Sequence, residues 1–143
     1  MTATRAPGRP RELALRAVAQ VRLRHWSHFL LLPLASVDPA ESWERTSVAS
    51  ARGVAAAFAL LAFGYLLNSL SDRAVDRDPG KHALPAGSRW VQWAAVFGLG
   101  GAALAIVSGA PWPVRVAAIA CLLSGIVYSV GPRLKAFPLV GSA

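Results

Sequence analysis

One cysteine, Cys121, is too few for an internal disulfide, and its place inside an apolar run marks it as a packing thiol. Acidic residues are scarce too: seven Asp and Glu stand against fifteen Lys and Arg. From Pro79 to Ala143 there is no Asp or Glu at all. The three histidines have no Cys or His at zinc-ligand spacing. His25 and His28 stand at the entry to an apolar run and His82 in a basic loop, which assigns them to interfacial packing. The first twenty residues have no continuous apolar core, so no cleavable signal is expected. Charged residues make up 15% of the 143 and hydrophobic ones 55%, which is not the balance of a soluble domain.

What the chain has instead is apolar length. Runs of about 17–20 apolar residues are read as bilayer-spanning helices. Gly53–Leu70, Val91–Ala110 and Pro113–Val130 meet or approach that length. Leu23–Val37 is a shorter fourth run interrupted by Arg24, His25, His28 and Pro33. The expected fold is therefore all-α and integral to a membrane, with about four transmembrane helices. Residues 1–25 form a basic tail with an interfacial helix, and 26–143 form the membrane region.

The net charge of +8 is distributed unevenly. Arg5, Arg9, Arg11, Arg16, Arg22 and Arg24 precede or open the first run. Arg73, Arg77, Lys81 and Arg89 lie between the second and third, and Arg133 and Lys135 follow the fourth. The opposite side has only Arg45, Arg52 and Arg115, beside Asp38, Glu41 and Glu44. Twelve cations against three is the positive-inside pattern, which places both termini and the Asn68–Arg89 loop in the cytoplasm of a plasma (inner) membrane protein. That layout suits an anionic lipid surface, and no nucleic acid is expected as a partner.

Trp26, Trp43, Trp90, Trp93 and Trp112 all fall near run boundaries and read as an aromatic belt. The second run is rich in Gly and Ala, from Gly53 to Gly64, and the third holds Gly98, Gly100 and Gly101. Small residues let helices approach closely within lipid. Arg52 and Arg115 are read as reaching outward to headgroups.

The stretch Asn68–Gly87, NSLSDRAVDRDPGKHALPAG, carries the chemistry. Asn68, Asp72 and Asp76 stand at i, i+4 and i+8, one stripe on a helix. Pro79-Gly80 ends that helix, and Asp78 falls into the loop. An amide and two carboxylates at a membrane edge present hard oxygen donors to a divalent cation, for which Mg²⁺ is the candidate. Arg77, Lys81 and Arg89 follow, and cations beside a bound metal suit a diphosphate. The plain alternative is an ordinary polar helix end. Ionisable groups at membrane depth nevertheless point to function by default.

These residues resemble a known family. Asn68-x3-Asp72-x3-Asp76-Arg77, followed by Pro79, Lys81, Pro85 and Gly87, is similar to the first aspartate-rich motif of the UbiA superfamily of intramembrane prenyltransferases. Arg24 with Trp26 resembles that family's entry to its first helix. YSVGPRLKAFPLVG, with Tyr128, Ser129, Lys135, Pro138 and Gly141, is similar to the segment after the fourth. The resemblance spans about residues 20–143. It implies Mg²⁺-dependent transfer of a prenyl group from a polyprenyl diphosphate to an acceptor, usually aromatic. Asn68, Asp72 and Asp76 would then be the catalytic and metal-binding residues, with Arg77, Lys81, Tyr128 and Lys135 binding substrate. DRDPGK, Asp76–Lys81, is also similar to the branch whose acceptor is phosphoribosyl diphosphate.

Two departures bear on that reading. Ser69 stands where many members have a second acidic residue, and the acid-free stretch after Asp78 leaves no room for the family's second aspartate-rich motif. The chain therefore reads as the first half of such an enzyme, completed by a C-terminal half or a partner chain and inactive without it. The alternative is a small non-catalytic membrane protein using the same four helices for lipid or partner binding. A phosphatidyl-alcohol transferase ranks below both, because its longer Asp-Gly…Ala-Arg…Gly…Asp signature is not found.

Overall fold

The computed structural model describes residues 23–35, 40, 42–72 and 89–130, and every regular element among them is helical. Two short helices come first, α1 (Leu23–Trp26) and α2 (Leu32–Ala35), joined by a 3₁₀ stretch over Ser27–Leu31. Three long helices follow: α3 (Trp43–Asp72), α4 (Arg89–Val107) and α5 (Trp112–Ser129). These three are long and apolar enough to cross a membrane. The expectation of a helical membrane protein stands at that level, with three such helices among the described residues rather than about four.

The break in the first run has a local cause. Pro33 has no N–H to give to the carbonyl of Phe29, four residues back. The Leu32 N–H takes that carbonyl instead, which tightens the chain into 3₁₀ geometry. Thirteen residues of mixed helix cover about 20–25 Å, short of the roughly 30 Å hydrocarbon core.

The second run begins earlier than its apolar stretch. α3 starts at Trp43, where the Thr46 N–H reaches the Ser42 carbonyl at 3.0 Å and closes the first turn. Glu44 in that turn suits the positive end of the helix dipole. Thirty residues make α3 about 45 Å long. α4 and α5 are joined by residues 108–111 alone. The Ala110 N–H reaches Val107 O at 2.9 Å, and Pro111 leads into α5, where Pro113 fills an early position that needs no N–H donor. Such a short link makes α4 and α5 antiparallel neighbours.

α3 packs against both. Near the hairpin, Ala56 meets Val107 and Ala118. Further along, Phe63, Leu66, Leu67 and Leu70 close on Val96 and Leu122, with Trp93 against the cluster. α3 and α5 therefore run the same way, and α4 runs against them. A Cβ added at Gly100 would lie 3.4 Å from the Phe63 ring, and one at Gly125 would lie 3.4 Å from its other edge. Those two glycines make the room that Phe63 fills. Gly64, Gly98 and Gly101 have nothing within 4 Å, so the small-residue reading holds for Gly100 but not for its neighbours.

Three further expectations are corrected. Trp26 is not a boundary anchor: it is 0% exposed, with its ring 5.6 Å from Phe58 and 6.0 Å from Tyr65. Those partners lie near the middle of α3, so Trp26 packs at mid-depth. Trp93 is half-buried on the core cluster and stacks on Phe97 at 6.0 Å. Trp43, Trp90 and Trp112 are strongly exposed at helix starts, as belt residues should be. Cys121 is exposed rather than buried.

The N-terminal segment is clamped where Pro33 meets α3. A Cβ on Gly53 would stand 2.8 Å from the Pro33 Cβ. Gly53→Ala should therefore lower thermal stability in detergent, with about 1–3 kcal/mol of strain outweighing about 1 kcal/mol of helix propensity. Gly64→Ala, in open space, should be neutral or stabilising. A higher melting temperature for Gly53→Ala would refute the contact. Trp26→Ala should cost about 3–5 kcal/mol, whereas Trp90→Ala should change stability by less than about 0.5 kcal/mol.

Candidate functional site

The last turns of α3 set the site. Phe58, Tyr65 and Asp72 recur at seven-residue intervals, and Asn68 lies three beyond Tyr65. All four fall on one stripe of the helix. Trp26 packs against Phe58 and Tyr65, and toward the end of α3 the stripe turns from aromatic to polar.

Asn68 and Asp72 are both half-buried, and the Asn68 Nδ2 donates to Asp72 Oδ2 at 3.0 Å. A carboxylate only accepts, so the amide nitrogen faces it and the Asn68 Oδ1 is left to other partners. The sequence-predicted pair is thus brought together on one face. Leu66, Leu67 and Leu70 occupy the opposite face of the helix, so the pair points away from the three-helix core. Asp76, Arg77, Lys81 and Lys135 lie outside the described residues.

Tyr128 and Ser129 close α5 at the same end of the bundle. Tyr128 is 39% exposed, while Ser129 turns inward and is 2% exposed. Gln92, one turn into α4, is buried at 3%. Sequence reasoning passed over Gln92, although a signal was present. Gln92, Val96, Gly100, Ala103 and Val107 recur every three or four residues and are the buried positions of α4. Three helix ends therefore bring polar groups to one end: Asn68 and Asp72 on the outer face of α3, Gln92 and Ser129 within the seam.

The donor set can be weighed for a metal. Among the described residues no three His, Cys, Asp or Glu side chains group closely enough to hold an ion. One carboxylate and one amide oxygen are nevertheless the hard donors Mg²⁺ accepts. That ion keeps several waters and takes one or two carboxylates together with substrate phosphates. Asn68 and Asp72 fit such a shared site and not an all-protein cage.

No family model, curated protein or solved structure matches this chain. The functional reading accordingly rests on the residues themselves. A double-mutant cycle on Asn68→Ala and Asp72→Ala, followed by thermal unfolding in detergent without divalent cations, should give a coupling of about 0.5–1.5 kcal/mol. Strict additivity would show that the two side chains do not interact.

Proposed function

We propose that this chain is the N-terminal part of a UbiA-type prenyltransferase that binds a polyprenyl diphosphate at the Asn68–Asp72 end of α3. The observation that carries this reading is the half-buried pair itself, joined at 3.0 Å where a long apolar helix ends. A polar pair of this kind is costly at membrane depth unless it has a task. Asn68, Asp72 and Asp76 would hold Mg²⁺, which when bound stabilises the charge that builds on a departing diphosphate. Arg77 and Lys81 neutralise the phosphate oxygens, and Tyr128 and Lys135 complete the substrate contacts. The exposed apolar faces of α4 and α5 offer the prenyl tail a surface of its own polarity.

In this reading the Asn68–Arg89 loop and both termini face the cytoplasm of a plasma (inner) membrane. The run from Leu23 contributes a first membrane segment to a four-helix half-bundle. The second carboxylate cluster comes from further sequence or from a partner, because Pro79–Ala143 supplies no acid. The same observation favours a second reading, a non-catalytic membrane protein that keeps these helices for lipid or partner binding.

Retention of a radiolabelled prenyl diphosphate by the chain in nanodiscs separates the two. Binding should require Mg²⁺, and Asp72→Ala and Asp76→Ala should each weaken it by about tenfold or more, the loss expected for a charge-assisted ligand. Retention that is equal in wild type and double variant, with or without EDTA, would refute the metal role and favour the non-catalytic reading.

A further inference from the structure

At the hairpin end, opposite Asn68 and Asp72, two arginines share one level. The contact of Ala56 with Ala118 and Val107 is the outermost buried cluster there. Arg52 stands four residues before Ala56, and Arg115 three before Ala118. Residues three or four apart share a helix face, so both arginines lie on the sides that α3 and α5 turn toward each other. α3 and α5 run in the same direction. Arg52 is thus about 6 Å and Arg115 about 4.5 Å beyond the last buried pair, level to within about 1.5 Å.

Both side chains are exposed, and neither has an ion-pair or hydrogen-bond partner among the described residues. The described carboxylates are elsewhere: Glu44 is two turns further out and Asp72 at the other end. Two guanidiniums at one level repel each other until an anion joins them. A phosphate does so best, because each guanidinium can grip it with two parallel N–H donors.

The surroundings identify the source of that phosphate. Trp112 stands one turn outside Arg115 and is strongly exposed, which sets the headgroup level at this end. Val114, Val116 and Ile119 are exposed on α5 just below it, a surface suited to acyl chains and not to water. We infer that Arg52 and Arg115 form a clamp for the phosphate of an anionic lipid headgroup in the leaflet at the hairpin end. The clamp is independent of the site at Asn68 and Asp72.

Native mass spectrometry of the full chain, released from nanodiscs of mixed phosphatidylglycerol and phosphatidylcholine, tests this. Wild type should retain phosphatidylglycerol preferentially. Arg52→Gln and Arg115→Gln should each reduce that preference by about fivefold, the weight of one interfacial cation, and the pair should abolish it. Arg45→Gln and Asp72→Ala should leave it intact. On unmodified protein, phosphatidylglycerol should raise the melting temperature above that in phosphatidylcholine, and millimolar inorganic phosphate should not displace it. Undiminished preference in the double variant, or an equal loss with Arg45→Gln, would overturn the clamp. Displacement by inorganic phosphate would assign the arginines to a soluble anion instead.

Discussion

Phe63 of α3 occupies space that two missing side chains leave open, at Gly100 of α4 and Gly125 of α5. Within a bilayer, apolar side chains gain nothing by leaving lipid for protein, so helices associate through close packing. A ring held between two glycines is that kind of packing. It ties all three membrane-length helices at one point, and the clusters on either side follow from it. Ala56 with Val107 and Ala118 lies toward the hairpin, and Leu66 to Leu70 with Val96 toward the polar end.

That arrangement makes the two ends of the bundle chemically different. At one end α3 carries its half-buried amide–carboxylate pair, beside helix termini that bury Gln92 and Ser129. At the other, beside the four-residue hairpin, exposed Arg52 and Arg115 stand one turn inside the level of the exposed Trp112. Both sets of polar groups occupy the rims of a hydrophobic body, where lipid headgroups and phosphates are found. Trp26 fixes the remaining face of α3. It packs against Tyr65 and the exposed Phe58, on the same stripe that turns polar at Asn68 and Asp72.

The long helices were legible because apolar length is a one-dimensional signal, read without knowing what touches what. The pairing of Asn68 with Asp72 was legible for a similar reason: a four-residue spacing needs only helix geometry. Aromatic roles were not. Trp26 and Trp90 look alike as boundary residues, and only the fold of residues 23–35 against α3 tells the buried one from the exposed one. Cys121 failed in the same way, since an all-apolar helix does not announce which side faces its neighbours. Gln92 was readable from the period of α4, whose buried positions Gln92, Val96, Gly100, Ala103 and Val107 it begins. Asp76, Arg77, Lys81 and Lys135 lie outside the described residues, and their part in the site stands as a proposal.

Asn68 is the only asparagine in the chain, which isolates the site for spectroscopy. Selective ¹⁵N-asparagine labelling in nanodiscs gives one side-chain amide pair to follow by NMR. With a prenyl diphosphate present, Mn²⁺ in place of Mg²⁺ should broaden that amide beyond detection, and excess Mg²⁺ should restore it. An Asn68 amide signal that is unchanged by Mn²⁺ and prenyl diphosphate together would contradict a metal–diphosphate site at the end of α3.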